Sequence, residues 1–185
     1  MKNDLRVTLT RRMLKEGLLT VMAEKPLSKI TVSELCAEAS VNRVTFYHHY
    51  ESPAMVLRDI AWDYSKQLQH IYGETMRQQQ SEETAIEACL SYLFERKSTI
   101  RALLSENAEN ALSGYSLEII RHIVAKHNRA ISDYFHGNHT DGFLYAVTTA
   151  SAAYGLIQVW LTQDIDKTPK EIAEILKKAM VNLFS

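Results

Sequence analysis

Two short helical segments separated by a tight polar bend constrain the fold of this chain more than any other feature. The stretch ITVSELCAEASVNRVTFYHHYES, residues 30–52, holds both segments. Thr31 is placed to cap the first, with Glu34 three residues later as its capping-box partner. After the bend SVN, Asn42 is a good N-cap for a second helix over roughly residues 43–50. Two helices joined by so short a turn predict a helix-turn-helix.

The rest of the chain carries the signals of helices and not of strands. Only six Gly and three Pro occur in 185 residues, which leaves few strong helix breakers. Apolar residues recur at spacings of three and four, and no alternating run bounded by turn residues is found. We therefore predict an all-α protein of about nine helices. Its first helix is expected to begin near Thr8 or Thr10, and its fourth at Pro53.

The predicted helices divide into two domains. A three-helix unit over residues 1–52 contains the helix-turn-helix, and a larger bundle over residues 53–185 follows it through the long fourth helix. Within the bundle, one helix is predicted from about Tyr115 to Phe135, and the polar stretch HGNHTDG after it is predicted to be a loop.

Composition and targeting signals favour a cytoplasmic protein. The start, MKNDLRVTLTRR, lacks an apolar signal region, and no run of about 18 apolar residues predicts a membrane span. Cys36 and Cys89 are far apart and have no CxxC partner, so both are expected to be reduced. Up to Tyr50 the chain has eight basic and five acidic residues, and beyond it 13 basic and 17 acidic. A basic front on an acidic body suits a nucleic-acid-binding protein, although a random split produces such a difference too.

The second helix of the pair is unusually rich in polar-tipped rings. Helical spacing turns Val41, Phe46 and Tyr50 inward, toward the preceding helices. The residues left outside are Arg43, Val44, Thr45, Tyr47, His48 and His49. A purely structural hairpin has no use for six outward residues of these types, but it remains the alternative interpretation.

The chemistry of the outward residues matches that of a DNA major groove. Arg43 can bond guanine O6 and N7, and Val44 and the Thr45 methyl can contact a thymine methyl. Tyr47 and His49 can reach phosphate oxygens, which fix register without reading sequence. The first helix of the pair starts at Thr31, and the backbone N–H groups of its first turn can bind another phosphate.

Metal binding and catalysis find no support in the sequence. His48 and His49 are adjacent and point about 100° apart on a helix, so they cannot chelate one ion together. His136 and His139 lie with Asp141 in the predicted loop, where a solvated role is the simpler interpretation. No G-x-S-x-G, H-E-x-x-H or phosphate-binding glycine loop occurs. No metal, cofactor or enzymatic activity is predicted.

The stretch ITVSELCAEASVNRVTFYHHYESPAMVL resembles the DNA-binding signature of the TetR family of bacterial transcription regulators. The resemblance extends over about Thr8 to Trp62. The form NRVTFYHHY is similar to a subgroup related to dihydroxyacetone-kinase regulators, and YGLIQVWL at Tyr154 to Leu161 fits that subgroup's C-terminal helix. The resemblance implies that Arg43, Val44 and Thr45 read bases and that Thr31, Tyr47, His48 and His49 hold phosphates. With the cap residue included, the predicted DNA-binding surface comprises Thr31, Asn42, Arg43, Val44, Thr45, Tyr47, His48 and His49.

Two positions depart from the family pattern. Ser40 occupies the place in the turn where the family usually has Gly, so a positive φ there would carry mild strain. Pro53 stands where the family usually has a phosphate-binding Lys, which removes one cationic contact. Lower DNA affinity than is typical is the expected result.

The last two predicted helices have wide apolar faces. Such faces complete either a protomer core or a four-helix dimer interface, and the resemblance implies the dimer. The predicted interface residues are Tyr154, Ile157, Trp160, Leu161, Ile172, Ile175, Leu176, Ala179, Met180 and Leu183.

A ligand cavity, if one exists, would lie among the middle helices. Its candidate lining residues are Tyr72, Met76, Tyr92, Phe94, Leu104, Ile123 and Phe135. Their spacing fits a simple core equally well, and their types suggest an apolar or aromatic effector.

These patterns together predict a homodimer that binds a palindromic double-stranded DNA operator as a ligand-responsive repressor. The alternative, favoured by Pro53, is a protein-interaction module: a coactivator that docks on another regulator and binds DNA weakly or not at all.

Overall fold

The computed structural model describes residues 2–104, 108 and 138–182 of the chain. In these residues the secondary structure is eight α-helices and one 3-10 turn, without a strand. The helices are α1 (Lys2–Met22), α2 (Val32–Glu38), α3 (Arg43–Tyr47), α4 (Pro53–Arg77), α5 (Glu82–Glu95), α6 (Lys97–Leu104), α7 (His139–Thr162) and α8 (Pro169–Asn182), and the 3-10 turn spans Leu27–Lys29. The all-α prediction is confirmed. The helix predicted from about Tyr115 to Phe135 lies outside the described residues.

The chain forms two compact units. Of the described residues, 2–64, 98–104 and 108 belong to the first unit, and 65–97 and 138–182 belong to the second. Helix α4 therefore runs from one unit into the other. The division at residues 52 and 53 that the sequence suggested stays a prediction.

The first unit is built on the apolar stripe of α1. Leu14, Leu18 and Met22 are fully buried, and α1 packs against α2, where Leu35 is equally buried. The spacing of three and four between apolar residues places them on one side of each helix, which is the side that meets the neighbouring helix. Phe46 of α3 is also fully buried, so all three helices contribute to one core.

The second unit packs α5 against α8, and α8 also contacts α7. Leu90 on α5 and Ile172 on α8 are buried in it. Trp160 near the end of α7 is 2% exposed, stacks on Phe94 with ring centroids 5.3 Å apart, and donates its indole N–H to the Lys167 carbonyl at 2.9 Å. Trp160 thus fixes the turn between α7 and α8.

Three helix boundaries differ from the predicted ones. Helix α1 begins at Lys2 and not near Thr8 or Thr10, and α3 ends at Tyr47 and not at Tyr50. Helix α7 begins at His139, inside the predicted loop, because the Asn138 side chain accepts a hydrogen bond from the Asp141 N–H and caps the helix.

Helix α7 also bears on the question of a membrane span. Its most apolar 18 residues have a mean hydropathy of 1.2, so it is long and apolar enough to cross a membrane by length and composition alone. The same criterion is met by core helices of proteins that never enter a bilayer, and α7 begins with the charged Asp141 in its first turn.

Candidate nucleic-acid interface

Local hydrogen bonds fix the start of each helix in the α2–turn–α3 motif. The Thr31 hydroxyl accepts from the Glu34 N–H at 3.2 Å, and the Glu34 carboxylate accepts from the Thr31 N–H at 2.9 Å. At α3, the Asn42 side chain accepts from the Thr45 N–H at 2.7 Å. Both predicted caps are confirmed. The bend between the helices places Ser40 at a φ of 52°, the left-handed conformation that favours Gly.

Helix α3 has one buried side and one exposed side. Phe46 and Tyr50 are buried, with ring centroids 6.2 Å apart, and Val41 is half-buried. Tyr47 packs edge-on against Phe46 at 5.4 Å yet remains 53% exposed. The buried rings hold the helix so that its opposite side faces outward.

The structure brings most of the predicted DNA-contacting residues onto that outward side. Asn42, Arg43, Val44, Tyr47 and His48 are exposed, and Val44 is the most open apolar side chain of the motif at 69%. An exposed cation, an exposed methyl-bearing side chain and an exposed phenol on one short helix can read base edges and hold phosphates.

The remaining predicted DNA contacts are less open. Thr45 and His49 are half-buried at the edges of the exposed side of α3. Thr31, which caps α2, is exposed, but its N–H and its hydroxyl are already bonded to Glu34. Glu34 also pairs with Lys25, and hydrogen bonds from Lys25 and Thr31 lower the pKa of its carboxyl to about 2. A phosphate near the start of α2 therefore meets a carboxylate beside it.

A polar cluster that the sequence analysis did not find connects α1, the end of the α3 segment and α4. It consists of Arg11, Lys15, Tyr50, Asp59 and Asp63. Asp59 lies at its centre: Arg11 Nη2 is 2.7 Å and Lys15 Nζ 2.8 Å from its carboxylate, and the Tyr50 hydroxyl donates to the same oxygen. Lys15 also pairs with Asp63, and Arg11 Nε is 3.1 Å from the Tyr50 hydroxyl.

The charges of this cluster support one another. Burial raises the pKa of Asp59, but hydrogen bonds from Lys15, Tyr50 and Arg11 outweigh it and hold the pKa below its ordinary value. Burial and the bond to Asp59 raise the pKa of Tyr50, so the phenol stays protonated and continues to donate. No short-range pattern reveals such a cluster, because Arg11 and Asp59 are 48 residues apart.

The predicted cavity residues are scattered. Tyr72 and Tyr92 are half-buried, and Tyr72 bonds Glu82 at 3.3 Å. Met76 is 41% exposed, and Phe94 is the outer ring of the stack on Trp160. Leu104 belongs to the other compact unit, and Ile123 and Phe135 lie outside the described residues.

The predicted interface residues fall into two groups. Four of them are buried within the protomer and therefore belong to its core: Trp160, Leu161, Ile172 and Leu176. Tyr154 and Ile157 are half-buried, and Ile175 and Ala179 are exposed. The Met180 side chain and Leu183 lie outside what the structure describes.

Other exposed apolar residues on the same two helices were missed. Phe143, Leu144 and Val159 on α7 are exposed, as is Ile165 in the turn that follows. The apolar composition of α7 is a sequence signal for these residues, but the predicted interface residues on this helix lie only between Tyr154 and Leu161.

A helix-turn-helix with an exposed side on α3, together with a second helical unit, is the architecture of transcription regulators of the two-domain helical class. Residues 80–182 match a TetR-type family model described as "Transcriptional regulator C-terminal region". The match spans more than half of the chain, and the chain therefore belongs to the TetR family of transcription regulators.

Two solved structures share the fold of this chain. The crystal structure of a TetR transcriptional regulator from Streptococcus agalactiae 2603V superposes with a TM-score of 0.66 at 19% identity, with 97% of this chain and 98% of that chain covered. The dihydroxyacetone kinase operon activator DhaS superposes with a TM-score of 0.51 at 10% identity, with 94% and 95% covered. Among curated proteins no sequence matches.

Family membership carries the coarser functional statements. TetR-family regulators are transcription factors and not enzymes; they bind DNA, typically act as dimers and are typically cytoplasmic.

Proposed function

We propose that the chain is a ligand-responsive repressor that binds a palindromic operator as a homodimer in the cytoplasm. Residues 1–52 would form the DNA-binding domain, and residues 53–185 the regulatory and dimerisation domain. The observation that carries the proposal is the outward side of α3, where Arg43, Val44, Tyr47 and His48 are exposed while Phe46 is fully buried.

The roles of the individual residues follow from reach and chemistry. Arg43 stands in the first turn of α3, where a recognition helix meets base edges, and its guanidinium matches guanine O6 and N7. Val44 and Thr45 supply methyl groups for thymine. Tyr47, His48 and His49 follow toward the end of the helix, where phosphate contacts set the register.

Dimerisation is supported by the exposed apolar residues of the second unit. Phe143, Leu144 and Val159 on α7 and Ile175 on α8 are each more than a third exposed. Exposed apolar patches on a regulator mark an association surface. Tyr154, Ile157 and Ala179 would join this surface, whereas Trp160, Leu161, Ile172 and Leu176 would support it from within the protomer.

The proposed switch is a change in the separation of the two recognition helices. Operator half-sites lie about one helical turn apart, ~34 Å from centre to centre. An apolar or aromatic effector held by the second unit would tilt α4, which runs between the two units, and spoil that spacing. Such an effector acts only if it binds one of the two states more tightly than the other.

The test is a mobility shift of the purified protein on the DNA upstream of its own coding region, with Arg43→Ala as the diagnostic variant. Loss of a bidentate guanine contact should weaken specific binding by ~1–3 kcal/mol and weaken binding to random DNA less. The exposed Arg12→Ala variant removes the same charge away from α3 and is the matched control.

An equal loss on both DNAs for Arg43→Ala would make Arg43 a phosphate contact and not a base reader. If the wild-type protein failed to shift any DNA, a coactivator that docks on another regulator would replace the proposal. Addition of candidate aromatic metabolites to the same gel tests the effector, which should release the operator.

A further inference from the structure

Two ion pairs fix how α1 and α4 run beside each other. Arg11 pairs with Asp59 and Lys15 pairs with Asp63, and in both pairs the residues are 48 positions apart. One helical turn along α1 therefore corresponds to one helical turn along α4 in the same direction. The two helices run parallel, and their N-terminal ends lie at the same end of the first unit.

The same register extends to the beginning of both helices. Counting back from Arg11 and Asp59, Leu5 lies level with Pro53, the first residue of α4. Helix α1 begins three residues earlier, so it reaches about 4–5 Å past the start of α4 at 1.5 Å per residue. This is the end of the unit at which α4 follows the recognition segment.

The first turns of α1 are not used by the protomer core. From Leu5 to Met13 no side chain is buried, and Leu14 is the first that is. Leu5 and Leu9 are 70% and 47% exposed. All five side chains from Leu5 to Leu9 are exposed, so these turns contribute little to protomer stability and are open to a partner.

The charge of this end favours a polyanion. Residues 2–12 contain four basic residues and one acid. Arg11 is neutralised by Asp59, and Arg12 lies 3.8 Å from Glu16. Arg6 is exposed and has no ion pair among the described residues, so its charge is not compensated locally. Pro53, level with this turn on α4, brings no cation of its own.

We propose that the N-terminal turns of α1 form a second DNA-contacting surface, in which Arg6 binds a phosphate of the duplex beside the half-site read by α3. The inference rests on the proposed DNA-binding function. The contact is sequence-blind, because a guanidinium on a phosphate carries no base information. It makes α1 a positioning element for the recognition helix, in addition to its role in the core.

The test is the salt dependence of binding to a labelled random duplex, followed by fluorescence anisotropy with wild-type protein, Arg6→Ala, Arg6→Lys and Arg12→Ala. Each lost phosphate contact lowers the slope of log affinity against log salt by ~0.9 on duplex DNA. Arg6→Ala should lower it by that amount for each bound protomer, and Arg6→Lys should restore it. Arg12→Ala removes the same charge ~9 Å further along α1 and should change the slope much less.

The outcomes separate this inference from the function on which it rests. Equal, small slope changes in Arg6→Ala and Arg12→Ala would overturn the contact, even where Arg43→Ala still loses operator discrimination. A wild-type protein that binds neither the random duplex nor its upstream DNA would overturn the contact and the DNA-binding function together. Circular dichroism of Arg6→Ala should match wild type, and a variant that unfolds would contradict the unpacked state of this helix end.

Discussion

Gly17 of α1 lies directly against the backbone of Ala39 at the end of α2. A Cβ on Gly17 would stand 3.1 Å from both the backbone nitrogen and the Cβ of Ala39, closer than nine in ten Cβ contacts in proteins. Gly17 is therefore the residue that lets α1 and α2 approach, and it lies in the middle of a 21-residue helix where Gly is otherwise unfavourable.

We expect Gly17→Ala to destabilise the protein despite its better helix propensity. The propensity gain is at most ~1 kcal/mol, whereas forcing a methyl group into a packed contact typically costs ~1–3 kcal/mol. Ala39 cannot yield by a side-chain rotation, because the atoms in contact belong largely to its backbone. Urea unfolding measures the change, and Gly73→Ala is the control.

Gly73 lies in α4 with nothing within 4 Å of an added Cβ. Its replacement by Ala should stabilise by about the full propensity difference, up to ~1 kcal/mol. Stabilisation of similar size in both variants would mean that the α1–α2 contact is soft and that Gly17 has no packing role.

The turn residue Ser40 should be improved by Gly. Its φ of 52° costs a residue with a Cβ about 1–2 kcal/mol. Gly avoids this strain, but its greater conformational freedom in the unfolded chain offsets part of the gain. Ser40→Gly is expected to stabilise by roughly 0.5–1 kcal/mol. Ser40→Ala keeps the Cβ and should give no gain, so equal effects of the two variants in urea unfolding would attribute the change to the hydroxyl and not to the backbone.

The features that the sequence predicted correctly depend on local chemistry. The caps at Thr31, with Glu34, and at Asn42 form as expected, because a cap is made by residues three positions apart. The burial of Phe46 follows from helical spacing alone.

The features that the sequence did not predict are of two kinds: contacts between residues far apart in sequence, and one helix cap inside a polar stretch. The Arg11–Asp59 pair and the stacking of Phe94 on Trp160 join residues far apart in sequence, and no periodicity reports them. The start of α7 had a local signal, since Asn138 with Asp141 three residues later is a capping pattern. A loop is predicted there instead, because the stretch HGNHTDG that contains this pattern has five polar residues and two glycines.

The pH dependence of stability should reveal the α2 capping box. The pKa of Glu34 is lowered from 4.5 to about 2 by its bonds to Lys25 and Thr31. A depressed pKa means that the ionised carboxylate stabilises the fold above its unfolded value, and that this contribution disappears as the pH falls from about 4.5 through 2. Glu34→Gln keeps the shape of the box but not the charge.

Wild-type protein should thus be more stable than Glu34→Gln at pH 7, and the difference should shrink toward zero as the pH approaches 2. Glu38→Gln changes an exposed carboxylate of the same helix outside the box and serves as the control. A difference between wild type and Glu34→Gln that stayed constant from pH 7 to pH 3 in chemical unfolding would show that the charge of Glu34 is not what stabilises α2.

The dimer surface can be tested separately from the protomer core. Ile175 is 38% exposed, so Ile175→Glu should leave the protomer folded and yield monomers, because an unpaired carboxylate at an interface costs several kcal/mol. Leu161→Glu should instead unfold the protomer, since Leu161 is only 2% exposed. Gln67→Glu adds the same charge to an exposed position of α4. If light scattering showed that Ile175→Glu is still a dimer, Ile175 and its side of α8 would not belong to the interface.

A Lys in place of Pro53 should restore a phosphate contact at the start of α4. Pro53 is the first residue of this helix and offers neither an N–H nor a charge to a phosphate. In a dimer the Pro53→Lys variant adds two contacts, and each neutralised phosphate changes the salt slope by ~0.9, so the slope should steepen by roughly 2. Affinity should rise at low salt on operator and random DNA alike, because phosphate contacts are sequence-blind. The cost to folding should be small, although the positive end of the helix slightly disfavours a cation.

Gln67→Lys adds the same charge far along α4 and should leave the slope nearly unchanged. If Pro53→Lys gave no more than Gln67→Lys in an anisotropy salt series, the start of α4 would not face the phosphates, and the coactivator alternative would gain.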